Sequence, residues 1–155
     1  GEPASIEFAK INLYNIEPFT LVLFENNLLY EFRWDGAEKY SKQLATYLPH
    51  IWSSATLYDG FVVKKREQWF KDFLITHPQP LQKEVIKFHC FGGDGDTNND
   101  LMMRREGHTT VSITSIELNN KNSEMVYLDL KERKIHRKQF NLNPLKKIMK
   151  DASPF

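Results

Sequence analysis

The sequence predicts an α+β fold built on antiparallel strand pairs. Three observations predict it. Two apolar runs, Phe19–Phe24 and Leu28–Trp34, flank a short polar turn. Residues 60–76 carry apolar side chains at helical spacing. Two more strand-like runs, 108–118 and 124–130, follow the helices rather than alternate with them. Strands grouped before and after helices suit layered sheet and helix, not a parallel sheet.

Taken in order, Ile6, Ala9 and Leu13 sit at helical spacing, so residues 4–14 read as the tail of a helix that ends before Pro18. Glu25-Asn26-Asn27 reads as the turn of a β-hairpin, because Asn tolerates positive φ. Asp35-Gly36 ends the second strand, residues 37–48 suggest a short helix, and "HIWSSAT" (50–56) reads as a strand. Asp59 is the expected N-cap of a helix over 60–76, with Val62, Trp69, Phe70, Phe73 and Leu74 on one face. His77-Pro78 stops it. Pro80 opens a second helix reaching about Cys90, with Leu81, Val85, Phe88 and Ile86 inward, and Gly92-Gly93 ends it. A hairpin turning at 119–122, a strand at "KIHRKQF" (134–140) and a short helix from Pro144 complete the chain.

The chain has 155 residues and is 41% hydrophobic, which suits one domain with a sizeable core. No apolar run approaches the ~20 residues of a membrane helix. "GEPASIEF" has neither the basic nor the apolar region of a secretory signal. The single cysteine, Cys90, can form no internal disulfide, which fits a reducing, cytoplasmic setting. A net charge of +1 gives no bulk case for nucleic acid. Residues 131–150 nevertheless hold eight Lys/Arg against one acid, Glu132. A solvated charged face accounts for that stretch, and no aromatics are interleaved there to stack bases.

"FGGDGDTNNDL" (91–101) is the most unusual segment. Asp94, Asp96 and Asn98 match the first three ligand positions of an EF-hand, but Asn99 stands where Gly belongs and Arg105 where the bidentate Glu belongs. Three carboxylates and no complete glycine pattern argue against phosphate. A helix C-cap followed by Asx turns explains the composition. The five histidines show no zinc spacing, and no cofactor is expected. Cys90, at a helix end, is expected to have a raised pKa and an inert role.

Three stretches, "IEPFTLVLFENNLLYEFRWDG", "PHIWSSATLYDGFVVKKREQWFKDFL" and "FHCFGGDGDTNNDLMMRREGHTTVSITSIEL", together resemble the C-terminal half of the NRDE family, its bacterial members above all. That family includes the transport and Golgi organisation proteins. The resemblance covers roughly Asn15 to Leu130. It implies an αββα sandwich of the N-terminal-nucleophile hydrolase kind and an amide (C–N) hydrolase whose nucleophile is a Cys after the initiator Met. Neither that Cys nor the Asn-Arg-Asp-Glu tetrapeptide occurs here, so the chain reads as the C-terminal portion of a longer protein, inactive alone. The resemblance places Ser53 and Ser54 where related enzymes present oxyanion or substrate contacts; Ser54 replaces an Asn, and strand packing stays an equal alternative. It also matches the loop that carries Asp96, Asn99 and Asp100, which bond backbone groups or line a pocket mouth, with Arg104 and Arg105 close enough to pair with the Asp96 and Asp100 carboxylates; an ordered structural loop near the site is the preferred expectation over a direct ligand loop. Expected partners are the missing N-terminal half or a second copy, since half a sandwich exposes an apolar sheet face, and a small-molecule amide.

Overall fold

The computed structural model describes residues 2–119 and 122–141. It is α+β, with three helices and three antiparallel sheets. The chain divides into two compact units, Gly1–Phe70 and Lys71–Phe155.

The first unit begins with α1 (Ala4–Lys10), then β1 (Phe19–Glu25), β2 (Leu28–Trp34) and β3 (Lys39–Leu44), which pair antiparallel in that order. Asn26 and Asn27 turn the β1–β2 hairpin at φ +51° and +62°, the left-handed geometry that a two-residue turn needs. Replacing Asn27 by Val should cost about 1–2 kcal/mol in a denaturant titration, because a β-branched residue resists that φ.

Opposite residues in the ladder share a face, so Phe19, Leu21 and Leu23 align with Trp34, Phe32 and Tyr30. Against part of this face packs a core of Phe8, Leu13 and Phe32, ringed by Ala4, Phe19, Leu23, Tyr30 and Trp34. The Phe8 and Phe32 rings stack at 4.8 Å. Helix α1 therefore buries Phe8, while Ile6 and Ala9, the expected inward positions, are exposed. The helix ends at Lys10, so Leu13 reaches the core from beyond it. Lys39 Nζ donates to the Phe8 and Ala9 carbonyls at 3.1 and 2.7 Å and also to Ile11 O, a cation placed on the helix's negative end.

Two expectations fail in this unit. Residues 39–44 form an edge strand, not part of a helix. "KYSKQL" is mostly exposed, so no buried alternation announced it. Conversely, 50–56 joins no sheet. Trp52 Nε1 donates to Glu31 Oε2 at 2.7 Å, and His50 bonds the Ala45 carbonyl at 2.8 Å, so side chains rather than ladder bonds fix that segment.

Helix α2 (Gly60–Thr76) starts as expected, with Asp59 Oδ1 accepting the Val62 N–H at 2.9 Å. Val62, Trp69, Phe70, Phe73 and Leu74 are all buried or half-buried. Arg66, a turn beyond Val62, is buried too, with its guanidinium over the Tyr58 ring and donating to the Tyr58 hydroxyl at 2.7 Å.

In the second unit, α3 (Gln82–Phe91) begins two residues after Pro80. Glu84 Oε2 takes the Leu81 N–H at 2.8 Å, fixing the start there, and Leu81 itself is exposed rather than inward. Phe88 is buried and stacks on Phe73 at 4.6 Å. Next come β4 (Arg104–Arg105) and β5 (His108–Thr109), joined by Glu106-Gly107 with Gly107 at φ +72°. Then β6 (Ser112–Glu117), β7 (Ser123–Asp129) and β8 (Lys134–Phe140) form a sheet in sequence order. The single strand expected over 108–118 is thus broken at Thr110-Val111, where Leu130 N bonds Val111 O at 3.0 Å. Val126, 1% exposed, centres the sheet's packed face. The centre of the 119–122 turn and the helix expected from Pro144 lie outside the described residues.

Candidate functional site: a cleft beside the Gly-Asp loop

The loop after α3 is ordered by its own side chains. Gly92 N bonds Phe88 O at 2.7 Å and closes the helix. Asp94 Oδ1 accepts Asp96 N at 3.4 Å, and Asp96 Oδ1 accepts Asn98 N at 3.1 Å, two successive Asx turns. Asp96 Oδ2 takes the Asn99 amide at 2.7 Å. Asp100 Oδ1 reaches back to Asp94 N at 3.0 Å. Arg105 closes the other side, donating to Asn98 O at 2.7 Å and Asn99 Oδ1 at 3.3 Å.

The structure therefore brings Asp96, Asn99, Asp100 and Arg105 together as one hydrogen-bonded knot. Arg104 differs. Its backbone N–H bonds Thr97 O at 2.7 Å, and among the described residues its exposed side chain makes no hydrogen bond or ion pair. Ser53 and Ser54 belong to the first unit. Ser54 Oγ accepts the Thr56 N–H at 3.5 Å, a weak local turn contact. Among the described residues, no group of three or more His, Cys, Asp or Glu could hold a metal ion. No helix there is long and apolar enough to cross a membrane.

Beside the knot lies an open cleft of about 1020 Å³, lined by the end of α3, the loop, β4–β5 and the β7–β8 turn. Of the sequence candidates, Asp100 and Arg104 line it. Sequence reasoning missed Met102, Met103, Thr110, Val111 and the residues around Leu130. Nothing local marks them; they meet only because the Leu130–Val111 bond ties the β7 end to the break before β6.

Cys90 also lines the cleft, and burial pushes its thiol above the usual cysteine range. A neutral thiol is a poor nucleophile. Iodoacetamide should therefore alkylate Cys90 more slowly than free cysteine at pH 8, and a rate equal to or above that of free cysteine contradicts the assignment.

Comparison with known proteins finds no matching family model, no matching curated protein and no matching solved structure.

Proposed function

We propose that this chain is the ligand-holding C-terminal portion of an NRDE-like protein, and that the cleft of its second unit binds a small molecule. One observation carries the reading: a large cleft of mainly apolar surface presents polar groups from a hydrogen-bonded loop and strand ends, Asp100, Arg104, Thr109 and Thr110, and from the stretch that joins β7 to β8, Asp129, Lys131, Arg133 and Lys134. By the sequence resemblance, the complete protein hydrolyses an amide. A hydrolase of that kind needs an activated nucleophile. This sequence has one cysteine, at position 90, whose thiol is pushed toward its neutral form. The chain alone is accordingly assigned binding and not amide hydrolysis.

The test is a fragment screen by calorimetry on the whole chain, with small amides and carboxylates, repeated on Val111→Trp. Val111 is about half exposed in the cleft, so the larger ring fills space without entering a core. Binding that Val111→Trp abolishes at unchanged melting temperature supports the reading; binding that it leaves intact overturns it. Hydrolysis of amides that survives Cys90→Ala would overturn the assignment of binding alone.

A second reading, assembly with a partner chain or a second copy, is favoured by one observation. Val22, Phe24 and Tyr40 are exposed on the sheet face opposite the first unit's core. Sedimentation at tens of micromolar decides it, and a monomer counts against it.

A further inference from the structure

We infer that the cleft takes a small anionic amphiphile: one flexible apolar chain carrying a single carboxylate head. The inference rests on the cleft being the ligand site and adds the ligand's chemistry. The apolar part of the lining comes from Met102, Met103, Val111, Leu128, Leu130 and Ile135. Val111 and Ile135 are more than half exposed, and covering such surface is favourable in proportion to its area. Two adjacent methionines, unbranched and adaptable, suit a flexible chain better than a rigid ring.

The charged part is asymmetric. Arg104, Lys131, Arg133 and Lys134 line the cleft against two carboxylates, Asp100 and Asp129. Both carboxylates are already engaged with backbone. Asp100 Oδ1 holds Asp94 N at 3.0 Å, and Asp129 Oδ1 holds Lys131 N and Glu132 N at 3.0 and 2.7 Å. The cations are less committed. Lys134 pairs with Glu132 at 3.4 Å, whereas among the described residues no side-chain partner meets Lys131 or Arg133. Arg104 comes from β4, Lys131 and Arg133 from the β7–β8 turn and Lys134 from the first position of β8, so positive charge borders the apolar surface from separate parts of the chain. Arg133 sits at φ +53°, a conformation that Gly or Asn adopts with less strain.

Octanoate, octylammonium and 1-octanol, titrated into the whole chain by calorimetry, test the inference. Octanoate should bind at least about tenfold more tightly than octylammonium, whose charge the rim repels. Arg104→Gln should weaken octanoate about threefold or more and leave 1-octanol unchanged, at constant melting temperature. Arg133→Gly should do the same, and glycine adopts that φ without steric strain. Equal affinity for all three probes overturns the anion while the cleft stands as a ligand site. No saturable binding of any probe overturns the amphiphile, and the Val111→Trp screen then judges the cleft separately.

Discussion

Gly93→Ala is expected to destabilise the second unit by about 2–4 kcal/mol. Gly93 has φ +152°, and a Cβ there would lie 2.0 Å from Asp100 Oδ1 and 2.9 Å from Asp100 Cβ. The Asp100 carboxylate must move aside, and the Asp94 N–H then loses its 3.0 Å acceptor. Strain and the lost bond act together. Gly95 is the control: its φ is +93°, but a Cβ there meets nothing within 4 Å. Gly95→Ala should therefore cost only the conformational strain, about 1–2 kcal/mol. Adding Asp100→Ala to Gly93→Ala should recover part of the loss, since it removes the atoms at 2.0 and 2.3 Å. Urea titrations of the three variants check this. Equal losses for Gly93→Ala and Gly95→Ala would show that the carboxylate yields freely and that the loop is no knot.

Phe32→Ala should cost about 3–5 kcal/mol in the first unit. Phe32 is 1% exposed, stacks on Phe8 at 4.8 Å and lies 5.8 Å from the Tyr30 ring. Its removal leaves a cavity between α1 and the sheet that the two neighbouring rings, Phe8 and Tyr30, are too rigid to fill. Hydrogen exchange is the suitable measurement, because it reads strands β1 to β3 by themselves. Their amides should lose protection by at least about two orders of magnitude. A loss below tenfold means this core does not hold the unit together.

What the sequence made legible follows from where information is local. The hairpin at Asn26-Asn27 and the cap at Asp59 are short-range chemistry, and both formed where expected. The ordered loop was readable too, because Asp and Asn two residues apart build Asx turns without help from the rest of the fold. Strand β3 was not readable, since an exposed edge carries no buried period. "HIWSSAT" misled for the opposite reason: its composition suits a strand, yet strandness requires a partner, and Trp52 instead spends its donor on Glu31. Two-residue strands such as β4 and β5 are defined by one glycine turn and fall below any periodic signal. For the site, Asp100 and Arg104 were candidates on sequence grounds, whereas Val111, Leu130 and Arg133 are distant in sequence and share a wall only through sheet pairing. The αββα arrangement and the hydrolase chemistry rest on the resemblance alone.

The central claim is that the cleft beside the Gly-Asp loop takes a small anionic amphiphile. An amide-shift map of the whole chain titrated with octanoate tests it most directly. The account predicts saturable shifts clustered at Arg104, Thr109–Val111 and Leu128–Arg133, with the β1–β2 hairpin unmoved. Shifts scattered over the surface, or centred on Val22 and Phe24, would contradict it.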